Sequence, residues 1–242
     1  MEWRGSNPKV EEPAHTTLAA RLAAITKQVE DLVSAAKLEP PRQAVRELIA
    51  SGAADRALKT GDKAPDFELP GVELPGVERP GTQERNFILA QRLAQGPVVL
   101  AFYRGRWCPY CIAQLEELEK ARPEFDALKT TIAAISPQKP QHSGFTAEQH
   151  RLRFNVLSDS GNQVAGAYGV AWPLPDSLIS HYRGVFVNLE NANAAKDWVL
   201  PMPATFVIAP DSTIVWSRID ADFTHRPEPQ ELLRIVRVLK GF

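Results

Sequence analysis

Cysteine is scarce in this chain. Only Cys108 and Cys111 occur among 242 residues. A bridge between them would close a four-residue loop, which constrains almost nothing in an unfolded chain, so no disulfide framework holds the protein together. Charge of one sign is also missing: 28 Lys and Arg face 29 Asp and Glu, for a net charge of −1. That balance leaves no electrostatic footprint for nucleic acid or an anionic membrane. The longest apolar run, Pro97 to Tyr103, is far too short to span a bilayer. No apolar stretch follows Met1-Glu2-Trp3-Arg4, as a secretory signal would require, and a cytoplasmic protein is expected. There is no P-loop and no dinucleotide fingerprint, so no nucleotide, flavin or nicotinamide cofactor is expected. The five histidines (His15, His142, His150, His181, His225) are not paired at zinc-finger spacing, and Ile112 rather than His follows Cys111. Neither a metal site nor covalent haem is expected.

The composition, 44% hydrophobic and 24% charged, is that of an ordinary globular protein. Two regions are expected. In residues 1–59, Leu18, Leu22, Ile25, Val29, Leu32 and Val33 follow the helical period, Pro40-Pro41 should end that helix, and a second helical pattern includes Val45, Leu48 and Ile49. This helical extension reads as a cap packed on the body or as a dimerisation arm, which leaves a homodimer open. Residues 70–82 carry Pro-Gly three times and read as a surface loop or weak hairpin.

Residues 60–242 alternate short apolar runs with helical patterns. Val98–Tyr103 and Thr131–Ser136 predict buried strands, Pro109–Leu128 a helix kinked or broken at Pro123, Thr146–Arg153 a helix, and Phe154–Leu157 a short strand. Gly161–Tyr168 looks helical, Ala204–Ala209 and Thr213–Arg218 form a hairpin, and Glu228–Leu239 is an amphipathic helix. This order predicts an α/β architecture, a mixed central sheet flanked by helices, which is the thioredoxin-like fold.

The chemistry gathers in Arg104-Gly105-Arg106-Trp107-Cys108-Pro109-Tyr110-Cys111. A buried strand ends, a glycine turn follows, and Pro109 suits the first helical position. Cys108 is then the N-cap, and Cys111 lies one turn later on the same face, with α-carbons roughly 5–6 Å apart, within disulfide range. Free helix N–H groups, the helix dipole, Arg104 and Arg106 all favour thiolate over thiol. Lowering a thiol pKa from about 8.5 to about 6.5 takes only about 2.7 kcal/mol. His181-Tyr182-Arg183 and Asp222-Phe223-Thr224-His225-Arg226 contain groups capable of acid–base work, but no spacing ties them to the cysteines, and solvated-loop or capping roles are expected. Trp107 reads as a shield over the groove, and Trp172, Trp198 and Trp216 as packing residues.

Trp107-Cys108-Pro109-Tyr110-Cys111 resembles a thioredoxin-family active site. Its surroundings resemble the peroxiredoxin superfamily, specifically the alkyl hydroperoxide reductase/thiol-specific antioxidant branch. The likeness rests on Gly61-Asp62-Lys63-Ala64-Pro65-Asp66-Phe67, Val99–Tyr103, Leu157-Ser158-Asp159 and Ala204–Ile208, and runs from about Gly61 to Lys240. It implies a thiol peroxidase that reduces a hydroperoxide, forms a redox disulfide Cys108–Cys111, and is recycled by a dithiol such as thioredoxin. The alternatives are a thiol–disulfide oxidoreductase acting on protein disulfides, and a redox-sensing binding module whose N-terminal helices engage a partner.

The two templates select different sulfurs. Counting from Tyr103, peroxiredoxin logic puts the peroxidatic cysteine at Cys111, with Cys108 at the family's threonine and Arg104 at its proline. Thioredoxin logic selects Cys108, expected to be the more exposed residue at the N-cap, and exposure and helix position favour it. The arginine that peroxiredoxins carry before the penultimate strand is absent. Pro201-Met202-Pro203 stands there and resembles the cis-proline loop of thioredoxins, so Pro203 joins the expected groove. Arg104 or Arg106 is the expected source of the missing charge.

Overall fold

The computed structural model describes residues 17–71, 86–185, 187–193, 195 and 197–241. Helix α1 (Leu18–Leu32) begins at the N-cap Thr17, whose side chain accepts from the Ala20 amide. Helix α2 (Ala35–Ala50) follows Ser34 after a break of backbone at Val33–Ser34. The expectation that Pro40-Pro41 ends a helix is corrected, because both prolines lie inside α2. The break falls earlier, at extended residues, and the carbonyls that the prolines leave unpaired belong to the exposed Ala36 and Lys37.

Strands β1 (Glu68–Pro70) and β2 (Asn86–Ile88) pair antiparallel and flank the Pro-Gly repeat, most of which lies outside the described residues. After α3 (Leu89–Leu93) come β3 (Val98–Phe102), α4 (Pro109–Ala127) and β4 (Thr131–Ser136). Helix α4 runs through Pro123 without ending, since only its last turn lies beyond and Phe125 in that turn is fully buried. Helix α5 covers Pro140–Gln149 rather than the expected Thr146–Arg153. Pro140 occupies its first turn, a start signal the periodicity overlooked, and Arg151 at φ 52° lies just beyond its end. Strand β5 (Asn155–Ser158), α6 (Gln163–Ala167), β6 (Ala171–Pro173), α7 (Asp176–Gly184), α8 (Leu189–Ala192), β7 (Val199–Pro201), β8 (Ala204–Ile208), β9 (Ile214–Ile219) and α9 (Pro229–Leu239) complete the order.

The central sheet has the order β5-β4-β3-β8-β9, with β3, β4 and β5 parallel and β8 and β9 antiparallel to their neighbours. It is the expected thioredoxin-like mixed sheet. Strand β3 is an unbroken apolar run because both of its faces are covered. Val99, Ala101 and Tyr103 face α1, α4 and α9, while Val98, Leu100 and Phe102 face Phe87, Tyr168 and Phe206.

The N-terminal helices pack on this body. Leu18 and Leu22 of α1 join the core beside α4, and Ala44 of α2 packs with Leu178 and Tyr182 of α7. The Glu228 carboxylate accepts from the Leu18 and Ala19 amides at 3.1 and 2.8 Å, capping α1 from the start of α9. Arg21 pairs with Glu116 and Glu117, and Thr26 Oγ1 lies 3.2 Å from the Tyr110 hydroxyl. The face of α1 is thereby fixed against the first turns of α4, where the two cysteines are.

Candidate active site

The turn after β3 is set by close packing. Gly105 has φ 147°, and a Cβ there would lie 2.7 Å from Trp107 Nε1 and 2.9 Å from Gln138 Oε1. That same Gln138 oxygen accepts from the Arg106 amide at 2.6 Å, so glycine lets the chain close onto it. Cys108 is the N-cap of α4 and Pro109 its first residue, as the sequence indicates. The Cys108 side chain accepts no helix N–H, however. Cys111 sits in the first turn, and the Arg104 backbone N–H helps to hold its charge.

Both cysteines are free thiols, with Cys108 1% and Cys111 0% exposed. The expectation that Cys108 is the more exposed is therefore corrected: the Trp107 and Tyr110 rings and α1 close over the start of α4. The two sulfurs are 2.8 Å apart, a distance at which one thiol hydrogen-bonds the other.

Charge decides which sulfur holds the proton. Arg226 Nη2 donates to Cys111 Sγ at 3.2 Å. Arg226 Nε donates to Gln114 Oε1 at 2.7 Å, and Nη1 donates to the Phe223 and His225 carbonyls at 2.9 and 2.5 Å. Gln114 Nε2 in turn donates to Thr205 Oγ1 of β8 at 3.1 Å. Burial alone would push the Cys111 thiol up. The hydrogen bond from Cys108 and the charges of Arg226 and Arg104 outweigh it and bring Cys111 well below the ordinary thiol range. Cys108 moves the other way, raised first by burial and then by its bond to Cys111. The two shifts run in opposite directions, which favours the proton on Cys108 and the negative charge on Cys111.

Arg104 is buried at 3% exposure. Its guanidinium lies 4.1 Å from the centre of the Phe223 ring and 4.8 Å from that of Trp107, and it donates to the Tyr182 hydroxyl. Burial pulls Arg104 below its usual range, and the two sulfurs draw it back up. Arg106 is exposed, with its guanidinium 6.0 Å from the Phe145 ring. Of the two arginines expected to supply charge, Arg104 reaches the sulfurs and Arg106 does not.

Two further expectations change. The segment containing Asp222–Arg226 is not merely a solvated loop or cap, since it delivers Phe223 and Arg226 to the cysteines. Tyr182 likewise lies in the site, its ring 5.2 Å from that of Trp107. His225 is exposed beside Asp222, and Arg183 pairs with Glu190 at the surface. Trp172, Trp198 and Trp216 pack against the apolar clusters, as expected. The described residues contain no cis peptide bond, so Pro203 is trans, and the likeness to a cis-proline loop stops at the sequence. Its carbonyl accepts from the Asp220 amide at 2.8 Å at the β8–β9 edge. Gln114 is not singled out by the sequence, and Arg226 stands there only within the Asp222–Arg226 segment expected to serve as a loop or cap. Gln114 offers one signal: a polar residue on the buried stripe of α4 that Cys111, Leu115 and Leu118 define.

Among the described residues no three His, Cys, Asp or Glu side chains gather as metal ligands, and no helix is long and apolar enough to cross a membrane.

A helix-start dithiol on a thioredoxin-like sheet, with a charge-stabilised buried thiolate, defines a thiol-dependent oxidoreductase. The AhpC/TSA family model matches residues 60–217, and the chain belongs to that family. Peroxiredoxin Bcp of Bacillus subtilis is 26% identical over 145 residues, which are 58% of this chain and 85% of that one. The Mycobacterium tuberculosis protein named "Putative peroxiredoxin Rv1608c" is 32% identical over 130 residues, covering 54% and 78% of the two chains. The crystal structure of peroxidoxin BcpB from Mycobacterium tuberculosis superposes with a TM-score of 0.55 at 25% identity, over 75% of this chain and 97% of that one. The protein is a thiol peroxidase of this family.

Proposed function

We propose that Cys111 is the attacking thiolate and Cys108 the resolving thiol of a two-cysteine hydroperoxide reductase. The observation that carries this is the Arg226 Nη2 contact to Cys111 Sγ at 3.2 Å, with the Cys108 sulfur 2.8 Å from that of Cys111. Cys111 attacks the distal oxygen of the hydroperoxide, the O–O bond breaks, and the alkoxide leaves with the proton from the Cys108 thiol. The Cys108 thiolate then attacks the Cys111 sulfenic acid, the disulfide forms, and hydroxide departs. Arg104 faces both sulfurs and stabilises the negative charge that develops on the departing oxygens. A thioredoxin-type dithiol returns the disulfide to the thiol pair, in keeping with a reducing, cytoplasmic setting.

Positive charge supports Cys111 over Cys108, and this reverses the order that exposure favoured. The rival reading, a reductase of protein disulfides, draws on the cis-proline-like Pro203 and on Trp107-Cys108-Pro109-Tyr110-Cys111; Pro203 is trans, and the motif is its remaining support.

The test uses reduced protein and one equivalent of hydrogen peroxide under anaerobic conditions, with oxidation located by mass. Wild type should lose both thiols rapidly. Cys108→Ser should accumulate sulfenic acid at Cys111, and Cys111→Ser should be inert. Sulfenic acid trapped at Cys108 instead would reverse the roles. Thiols that persist in peroxide yet exchange quickly with a small disulfide would make the protein a disulfide reductase.

A further inference from the structure

The N-terminal helices do more than cover the body. Between them and the active site lies a cleft of about 680 Å³, within the size range of small-molecule sites. One wall is the facing sides of α1 and α2, with Val29, Val33, Leu38, Pro41, Val45 and Ile49. The floor is the active site itself: Arg104, Trp107, Cys108 and Tyr110. Both helices precede residue 60, where the family match starts, so this wall is an addition to the peroxidase domain. Small hydroperoxides need no such wall.

The charges lining the cleft are uneven. Lys37, Arg42, Arg46 and Arg104 face it against Glu30 and Asp222. Arg42 is tied to Glu30, and Arg46 to Glu39. Lys37 forms no ion pair among the described residues and is exposed at the start of α2. Apolar walls with an uncompensated cation match a ligand with a long apolar chain and one anionic end.

We infer that the N-terminal helices build a binding site for an anionic single-chain amphiphile, which presents a hydroperoxide on its chain to the cysteine pair while Lys37 holds its carboxylate. The chain lies along Val33, Leu38 and Val45, and the hydroperoxide meets Arg104 and Cys108 on the floor, where the Cys108 sulfur is 2.8 Å from that of Cys111. The choice of substrate rests on the peroxidase reading above, whereas the binding site itself does not.

Two measurements on the full chain separate them. In the first, unoxidised oleate is titrated into reduced protein below its micelle concentration and followed by tryptophan fluorescence and calorimetry. Saturable one-to-one binding is expected, weaker by about fivefold or more for methyl oleate or in Lys37→Ala, the scale of one exposed charge contact. Val45→Trp, which fills the cleft, and Ile49→Glu, a surface change that folding tolerates easily, should each weaken binding about tenfold or more, the order of one lost buried apolar contact. In the second, the ratio of kcat/KM for linoleic acid hydroperoxide to that for tert-butyl hydroperoxide should fall about tenfold in both variants. Oleate binding with no turnover of any hydroperoxide would sink the peroxidase reading and leave the amphiphile site standing. Absence of saturable oleate binding, or an unchanged ratio in both variants, would overturn the inference. Loss of turnover only with a protein reductant would overturn it too, and would make the cleft that reductant's docking site.

Discussion

Arg226 Nη2 lies 3.2 Å from Cys111 Sγ, although 115 positions separate the two residues in the chain. Arg226 comes from the segment between β9 and α9, and Cys111 from the first turn of α4. The sheet brings them together because α4 and α9 lie against the same face of it. In this chain the charge thus reaches the thiolate from beyond the last strand, while the position before the penultimate strand is given to proline.

This contact sets the pH dependence. Cys111 is depressed in the folded protein, so its thiolate persists above that lowered value and is lost as pH falls through it. The wild-type rate with peroxide should already be on its plateau at pH 7 and decline only well into the acid range. In Arg226→Ala the largest charge holding Cys111 down is removed. Its titration should move up toward that of an ordinary thiol, lowering the pH 7 rate by roughly 10–30-fold and restoring much of it near pH 9. Stopped-flow peroxide kinetics from pH 5 to 9 check this. A rate reduced equally at every pH would mean that Arg226 acts only through packing.

Arg104 and Arg106 should separate cleanly. The Arg104 guanidinium is buried among Phe223, Trp107 and Tyr182 and faces both sulfurs. Arg104→Ala leaves the Tyr182 hydroxyl without its donor and empties the space between the rings, which should cost about 1–3 kcal/mol of stability as well as reactivity. Only the backbone N–H of Arg106 makes a hydrogen bond to Gln138, and alanine keeps it. Arg106→Ala should change the peroxide rate by less than about twofold, as surface substitutions usually do. Denaturation curves and single-turnover kinetics on both variants decide the matter.

The part of this architecture that local pattern can carry was legible in the sequence. Val98–Phe102 shows as a buried strand, and Pro109 in the first turn of α4 marks the helix start at Cys108. The β8–β9 hairpin shows in two apolar runs around Asp211. What escaped is what only the tertiary fold brings together. Nothing near Arg226 in sequence announces a sulfur, and Tyr182 lies 78 positions from the Arg104 it bonds. Burial of Cys108 depends on Trp107, Tyr110 and the docked α1, so N-cap position alone overstated its exposure. Pro40 and Pro41 signal a break, but the backbone had already broken at Ser34, and a surface helix tolerates them.

One carboxylate caps the start of α1, beside the packing and ion pairs that hold the rest of the helix. Glu228 accepts from the Leu18 and Ala19 amides, two donors that the helix itself leaves unpaired. Its own helix, α9, receives no bond from that side chain. Glu228→Ala should therefore loosen α1 selectively, at about 0.5–2 kcal/mol, the usual scale of a lost cap. Hydrogen exchange should quicken at the amides of α1 and leave α9 and β3 near wild-type protection. Equal loss of protection in α9 would show that Glu228 serves that helix instead.

At Gly105 a single methyl group should disturb the turn that leads into the cysteines. A Cβ would sit 2.7 Å from Trp107 Nε1 and 2.9 Å from Gln138 Oε1, and Gln138 is fully buried and cannot retreat into solvent. The φ of 147° adds backbone strain for any L side chain. Gly105→Ala should cost about 1–3 kcal/mol, read as a lower urea midpoint at unchanged m. The turn also sets where α4 begins, so the two sulfurs should lose their alignment and disulfide formation after peroxide should slow. A Gly105→Ala protein with the wild-type midpoint and rate would show that Trp107 swings aside at no cost, and that the turn does not fix the cysteines.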